Sequence, residues 1–327
     1  MNNYKSVIAK ELSEYLSIRQ MTLTPKSFKV YVDTLKDFDK HLAKHDMDEI
    51  SISEDVINGW IEHLKSKNHS RTVSNKVSCL RGLLKYLNYN GISVFMPPCP
   101  KYNEDYSPYI YSDDESEKIF ACADNAKTQR CSNDNKNRIT ADFQVAMLIR
   151  LLYGCGLRRG EALNLIRSDV DFSRGTLLIR QAKNKKQRIV AMHKSLTEML
   201  MQYCVAMKIY KKLDSYLFPE INSECVRNKF RTILKSANIY KPTEKAHQRG
   251  QCLHCFRHVF AVKSFAQAEK NGYMSMDSIP YLSVYLGHFD MDGTEKYLKF
   301  SSDIFPEHTQ MFETYSAGIF TEIGGAQ

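Results

Sequence analysis

The sequence lacks long hydrophobic runs, and this absence excludes several classes of protein. No segment reaches the roughly 18 consecutive apolar residues that a helix needs to cross a bilayer. Residues 1–16 alternate charged and apolar side chains and do not contain the apolar core of a secretory signal. We therefore expect a cytoplasmic protein that has no membrane partner.

A regular cysteine pattern is also missing. The nine cysteines are an odd number without fixed spacing, which makes a poor disulfide framework. We expect most of them to be small buried apolar residues. A zinc site is an open alternative, although tetrahedral zinc usually takes its ligand pairs from separate turns or strands. Its ligands would be His247, Cys252, Cys255 and His258.

Positive charge is abundant, and it is concentrated in two blocks. The net charge is +9, and residues 158–188 contain nine basic residues against three acidic ones. Residues 225–270 contain ten basic residues against two acidic ones, whereas residues 271–327 contain two against eight. This distribution favours a polyanionic partner and an acidic tail that docks onto the same chain or another copy. Charge alone is equally compatible with a solvated lysine-rich surface.

The length of 327 residues predicts two domains, of which the first covers residues 1–92 and is helical. Thr24 and Pro25 are typical of a helix start, and Asn90 and Gly91 of a helix end. The last helix of this domain is predicted to have one apolar and one polar, basic face. That basic face suits phosphate contacts, although a solvated helix face is the simpler explanation. It carries Arg71, Asn75, Arg81 and Lys85.

Four prolines within residues 93–111 predict an extended linker. The second domain, residues 112–327, opens with a capping box at Ser112 and Glu115. A buried helix is predicted through VAMLIRLLY, and the helical pattern resumes over LRRGEALNLIRSDVDF. The segments TLLIRQ and RIVAM predict two strands of a hairpin whose tip, AKNKKQ, is basic. The second domain is therefore expected to be mostly helical with a small sheet.

Six side chains of the second domain are candidates for chemistry: Arg158, Lys183, His254, Arg257, His288 and Tyr297. Arg158 follows a glycine-rich turn at the start of a helix, where free N–H groups and the helix dipole favour an anion. His254 and Arg257 are three residues apart and therefore share a helix face. Taken singly, each of the six has an ordinary structural explanation.

Together these motifs resemble the tyrosine recombinases, that is, integrases and related site-specific DNA recombinases. The likeness is carried by GLRRGEALNL, the AKNKKQRIV hairpin, HCFRH, LGH and TEKY, in this order and at these separations. It covers the whole chain, because the helical first domain and the linker resemble that family's core-binding, SAM-like part. The resemblance implies a mainly α fold in which two domains form a C-shaped clamp. The catalytic domain would be mixed α+β, mostly helical with a small antiparallel sheet.

The resemblance also implies a role for each site residue. Tyr297 is the implied nucleophile, because a tyrosine ester keeps the bond energy of the DNA phosphate in a covalent 3′-phosphotyrosyl intermediate. Arg158 and Arg257 would neutralise the phosphate through bidentate hydrogen bonds. His254 would assist the tyrosine, and His288 would hold the phosphate.

The hairpin lysines complete the implied set. Lys183 would protonate the leaving 5′-oxygen, which requires neighbouring cations to lower its pKa. Lys185 and Lys186 at the hairpin tip are expected to contact DNA.

The implied partner is double-stranded DNA with paired inverted core sites. A dimer would bind each site, a homotetramer would form on synapsed DNA, and a Holliday junction would be the intermediate. The reaction would need no metal, ATP or other cofactor, and an accessory factor would set its direction in some systems. The protein would move or resolve a DNA element, associating with the nucleoid. From about residue 301 a tail is expected to dock into a neighbouring protomer, unless it packs in cis or frays.

The sequence departs from the family pattern at three points, none of them a catalytic position. Cys155 stands where threonine is frequent, Phe256 replaces the leucine of HxLRH, and Leu298-Lys299 follows the tyrosine where many members have a histidine two residues on. No additional arm-binding domain is expected before the helical domain. Two alternatives stay open, namely a catalytically silent DNA-binding relative and a DNA-relaxing enzyme like the type IB topoisomerases.

Overall fold

A computed structural model describes most of the chain. The described residues are 4–45, 51–102, 108–125, 136–180, 187–243, 250–288, 290–295 and 297, with the side chains of 136–140 excepted. Contacts divide the chain into two units, Met1–Asp105 and Tyr106–Gln327. Both are mainly α, as predicted, and the second also contains a small antiparallel sheet.

The described ranges contain twelve α-helices and three β-strands. The helices are α1 (Ala9–Thr22), α2 (Pro25–Leu42), α3 (Glu54–Lys67), α4 (Ser70–Tyr89), α5 (Asp113–Asn125), α6 (Lys136–Cys155), α7 (Arg159–Leu163), α8 (Lys194–Ala206), α9 (Ser223–Ser236), α10 (Cys255–Lys270), α11 (Ser275–Leu286) and α12 (Asp292–Glu295). The strands are β1 (Val170–Asp171), β2 (Thr176–Ile179) and β3 (Arg188–Ala191).

The first unit packs α1 to α4 around one apolar core. The predicted helix start is confirmed, because the Thr24 hydroxyl accepts a hydrogen bond from the Ser27 N–H and Pro25 is the first residue of α2. The Trp60 side chain fills the centre of this core against Phe38 and donates its indole N–H to Asp37 at 3.1 Å. At the end of α4, Gly91 has a φ of +83°, as expected for the predicted helix stop.

The second unit is built around α6. Its segment VAMLIRLLY lies in the main hydrophobic core, as the uninterrupted apolar run predicted. The capping box that starts α5 is also present: the Glu115 N–H donates to the Ser112 hydroxyl at 3.1 Å, and the Ser112 N–H donates to the Glu115 carboxylate at 3.0 Å.

The prediction of a helix over LRRGEALNLIRSDVDF is wrong beyond its first turn. Helix α7 ends at Leu163, and the chain continues through a 3-10 turn into β1, so the sheet has a third strand that was not predicted. Backbone bonds to a distant loop stop the helix, since the Leu217 N–H donates to the Leu165 carbonyl and the Arg167 N–H to the Ser215 carbonyl. The two predicted strands are present, and β2 pairs antiparallel with both neighbours in the order β1-β2-β3.

Within the described ranges, none of the helices combines the length and the apolarity that would let it cross a bilayer.

Candidate active site

The turn between α6 and α7 positions Arg158. Gly156 has a φ of +59°, and a Cβ there would lie 2.5 Å from a ring carbon of Phe260, so both the backbone and the packing require glycine. Arg158 follows as the residue that precedes α7. Its guanidinium donates to the Glu161 carboxylate at 2.8 Å and to the Gly287 carbonyl at 2.9 Å. Arg158 is thereby held in one orientation from two sides.

Arg257, in the first turn of α10, is almost completely buried, with 1% of its surface exposed. Its guanidinium donates to the Gly156 carbonyl at 2.8 Å and to the Leu286 carbonyl at 2.7 Å. Burial, and next the nearby Arg158 charge, lowers the Arg257 pKa to about 10. The side chain therefore remains a cation at neutral pH in surroundings that screen its charge poorly.

The end of α11 contributes to the orientation of both arginines. Gly287 ends the helix in the left-handed region, with a φ of +69°. The carbonyls of Leu286 and Gly287 then accept from Arg257 and Arg158, respectively. One helix terminus thus provides two neighbouring acceptors for the two cations.

His288 follows this turn and faces the arginines. Its Nδ1 lies 2.6 Å from the hydroxyl of Thr294, a fully buried residue of α12. Burial, followed by the positive charges of Arg257 and Arg158, lowers the His288 pKa to about 4. The imidazole is consequently neutral at physiological pH and can act there as a hydrogen-bonding group without adding charge.

Tyr297 lies beside this group, two residues after α12, and only 5% of its surface is exposed. Its hydroxyl is 2.9 Å from Nδ1 of His258, the residue that follows Arg257 on α10. Burial raises the Tyr297 pKa, while a hydrogen bond and charge from Arg257 and the charge of Arg158 oppose that rise. The phenol is therefore protonated at neutral pH and needs an acceptor for its proton before it can act as a nucleophile.

The structure brings four of the six candidate residues together: Arg158, Arg257, His288 and Tyr297. His254 is the residue that precedes α10, and its ring centre lies 4.8 Å from that of His258. It is His258 that contacts the tyrosine hydroxyl, although we expected His254 to assist it. Lys183, Lys185 and Lys186 lie outside the described residues.

Family models cover both units of the chain. Residues 113–302 match the model of the Phage integrase family, and residues 9–91 match that of the Phage integrase N-terminal SAM-like domain. The chain belongs to the phage integrase family. The first match includes all six candidate residues, and the second covers the four helices of the first unit.

Individual relatives are tyrosine recombinases. The tyrosine recombinase XerD of Rickettsia prowazekii is 27% identical over 298 residues, which cover 86% of this chain and 88% of XerD. Among solved structures, XerH recombinase in a post-cleavage complex with its difH substrate has a TM-score of 0.65 at 18% identity, covering 88% of this chain and 80% of XerH. A lambda integrase dimer bound to a core site has a TM-score of 0.64 at 16% identity, covering 88% of this chain and 93% of that chain. These structural likenesses confirm the recombinase fold.

Three further side chains contact the candidate site residues or one another and are not among the sequence candidates: His258, Glu161 and Arg188. Glu161 had a local signal, because a carboxylate three residues after Arg158 at a helix start can bind back to that residue. The sequence suggests His258 only as a ligand in the zinc alternative, and its contact with a tyrosine 39 residues away has no local signal. Arg188, the first residue of β3, reaches Glu161 across 27 residues.

The basic stripe predicted for the SAM-like domain lies on α4, and its members differ in accessibility. Arg71, Asn75 and Lys85 are exposed, whereas Arg81 is half-buried and donates to the Pro97 carbonyl. The Arg71 guanidinium lies 5.4 Å from the ring centre of Tyr102. Part of the stripe therefore also holds the chain that leaves this domain, and its role in DNA binding stays a prediction.

The cysteine motif next to the site has a packing role in the structure. The sulfur atoms of Cys252 and Cys255 are 3.7 Å apart, and Cys255 is fully buried. Phe256, where the family has leucine, is also fully buried and packs on Tyr111 at 5.1 Å between ring centres. Across the described residues, no group of three or more histidine, cysteine or acidic side chains is placed to hold a metal ion. His247, the remaining member of the zinc alternative, lies outside them.

Proposed function

We propose that this protein is a site-specific DNA recombinase that cuts and rejoins double-stranded DNA through a covalent bond to Tyr297. One observation carries the proposal: in a chain of the phage integrase family, the Arg158 and Arg257 guanidiniums and His288 converge on a buried tyrosine. Two fixed cations beside a phenol are suited to a phosphodiester, whose transition state gains negative charge on the phosphoryl oxygens.

The arginines would bind the scissile phosphate. Each guanidinium has five N–H donors, and the bonds to carbonyls and to Glu161 occupy part of that set. A phosphate oxygen can therefore be bound while the backbone contacts are kept. His288, neutral at pH 7, would donate a further hydrogen bond to the phosphate, and its bond to Thr294 fixes the plane of its ring.

The proposed chemical step forms one bond to phosphorus, breaks another and moves two protons. The Tyr297 oxygen forms a bond to phosphorus while the bond between phosphorus and the 5′-oxygen breaks, which leaves a 3′-phosphotyrosyl ester and a 5′-hydroxyl. His258 is positioned to accept the phenol proton, because its Nδ1 is 2.9 Å from the hydroxyl. Lys183 would give a proton to the leaving 5′-oxygen. The reverse reaction with a 5′-hydroxyl from a second duplex would join the strands.

The reaction would use arginine charge where many nucleases use metal ions, and it would not need ATP because the ester conserves the bond energy. We further propose the assembly that recombination requires: a dimer on each site of inverted core sequences and a homotetramer on the synapsed DNA. An accessory factor could join this assembly and set the direction of the reaction.

Cleavage can be tested with a duplex that carries a nick close to the expected cutting position, so that a short fragment diffuses away and the covalent adduct accumulates. Wild-type protein should form the adduct in buffer with a chelator and no ATP, whereas Tyr297→Phe should bind the DNA and form none. His258→Gln should slow adduct formation by roughly 100-fold, within the range for loss of a general base. A DNA-binding protein with no adduct would be the catalytically silent alternative, and relaxation of supercoiled plasmid of arbitrary sequence would favour the topoisomerase alternative.

A further inference from the structure

Arg188, the first residue of β3, lies in the same network as the site residues. Its side chain is 9% exposed and makes three directed hydrogen bonds. Nη2 donates to the Glu161 carboxylate at 2.8 Å, Nη1 donates to the other oxygen of that carboxylate at 3.1 Å, and Nε donates to the Tyr285 carbonyl at 2.8 Å. This is a bidentate pairing in which the planar fork of arginine matches both carboxylate oxygens.

The same carboxylate also holds Arg158. One Glu161 oxygen accepts from the Arg158 guanidinium at 2.8 Å, and the other accepts from the Arg158 backbone N–H at 2.9 Å. Burial alone would raise the pKa of Glu161, but hydrogen bonds from Arg188 and Arg158 lower it, so the group is an anion. One negative charge is thus shared between two cations, and the cluster keeps a net positive charge.

Arg188 also packs against the turn that contacts both site arginines. Its Nε bond is to the Tyr285 carbonyl, directly before the two carbonyls that accept from Arg257 and Arg158. A Cβ on Gly287 would lie 2.9 Å from Arg188 Nη1, so the guanidinium is in close contact with this turn. Arg188 therefore touches both of the groups that orient Arg158, namely the Glu161 carboxylate and the end of α11.

We propose that Arg188 is a positioning residue for DNA cleavage, which sets the orientation and the effective charge of Arg158 by sharing Glu161 with it. The inference rests on the proposed recombinase function. Without Arg188, both Glu161 oxygens would be available to Arg158, whose charge would be neutralised more fully and whose guanidinium would turn towards the carboxylate. Arg158 would then stabilise the phosphate less in the transition state, while the affinity for DNA, which comes from many phosphate contacts, would change little.

The test is single-turnover cleavage of the nicked duplex, measured together with the dissociation constant for DNA. Arg188→Gln should lower the cleavage rate roughly 10- to 100-fold, the range for loss of a group that orients a reacting side chain, with an unchanged dissociation constant. Arg188→Lys should be intermediate, because lysine keeps the charge but not the planar fork. In a Glu161→Gln background, Arg188→Gln should cause little further loss, since its effect passes through that carboxylate.

Arg150 provides a matched control. It lies on α6, outside both basic blocks, and pairs with the Asp124 carboxylate at the end of α5. Arg150→Gln should lower thermal stability without changing the cleavage rate. Arg188→Lys keeps the inference testable if Arg188→Gln does not fold.

Three results would overturn the inference. The first is an Arg188→Gln variant that cleaves at the wild-type rate. The second is a loss of rate that is equally large with and without Glu161, because the effect would then not pass through the carboxylate. In the third, wild-type protein forms no Tyr297 adduct at all; the proposed function then fails, and this inference fails with it.

Discussion

At the scale of single residues, burial sets the acid–base state of the site. His288 is kept neutral and Tyr297 is kept protonated, because the charged form of each is disfavoured where water is excluded. Arg257 remains a cation in the same surroundings because its pKa falls only to about 10. At pH 7 the site therefore combines the fixed positive charge of its arginines with a neutral histidine and a protonated tyrosine. This combination suits phosphoryl transfer to a phenol.

The lowered His288 pKa predicts a specific pH dependence of stability. Between the ordinary pKa of 6.5 and the folded value of about 4, the unfolded chain binds a proton at His288 that the folded chain does not. Stability should therefore fall as the pH is lowered through this window. The groups that affect this histidine are the cations Arg257, Arg158 and Arg188, which lower its pKa, and Asp290, which raises it.

The free energy of unfolding, measured by urea denaturation between pH 7 and pH 4, should fall less steeply for His288→Gln than for wild type. His63→Gln, at an exposed position on α3, serves as the control for loss of a histidine. Parallel curves for wild type and His288→Gln would contradict the assigned direction of the shift.

At the scale of elements, the sequence predicts the helix caps and strands whose signals lie in neighbouring residues. The cap at Thr24, the capping box at Ser112 and the two strands of the hairpin all have short-range signals and are present in the structure. The early end of α7 and the strand β1 depend on backbone bonds to residues 213–217, which no periodicity reveals. The same limit applies within the site, where His258 meets Tyr297 only after α10, α11 and α12 have packed together.

The turn between α6 and α7 predicts the effect of a small substitution. Gly156→Ala would place a methyl group against Phe260 in a backbone conformation that disfavours side chains. We expect the free energy of unfolding to fall by about 2 kcal/mol or more, from left-handed strain and overpacking together. Because the Gly156 carbonyl accepts from Arg257, the cleavage rate should fall as well.

Gly160→Ala is the matched control, since a Cβ at that position of α7 meets nothing within 4 Å. Thermal denaturation of both variants distinguishes the two positions. Equal stability of Gly156→Ala and wild type would contradict the steric argument.

At the scale of the whole molecule, the charge distribution constrains how the protein would meet the DNA of the proposed reaction. Basic residues are concentrated within 158–188 and 225–270, and DNA binding that neutralises phosphates with such residues weakens steeply as salt is added. After Ser301 the sequence has four acidic residues and no lysine or arginine, which would not favour phosphate contacts. This segment is better suited to a basic protein surface, such as that of a neighbouring protomer on the same DNA.

This asymmetry leads to a prediction for the segment after Ser301, which lies outside the described residues. Deleting it should leave the affinity of the protein for a single core site unchanged while impairing tetramer formation and strand exchange. Gel-shift titration measures the first property, and analytical ultracentrifugation of the synaptic complex together with a recombination assay measures the second.

A full-length variant with Glu307→Gln and Glu313→Gln tests whether assembly depends on the negative charge of the segment or only on its presence. It should assemble at low salt less well than wild type but better than the deletion. A truncated protein that recombines at the normal rate would rule out the docking role.

The terminus of α11 has a further consequence. The carbonyls of Leu286 and Gly287 orient the two arginines, so the proposed phosphate site would be preorganised and the arginine side chains would lose little entropy on binding. The free energy needed for this order is supplied by the rest of the fold, which keeps the Arg257 cation buried. The desolvation of this cation is therefore a stability cost that the proposed contact with a phosphate would explain.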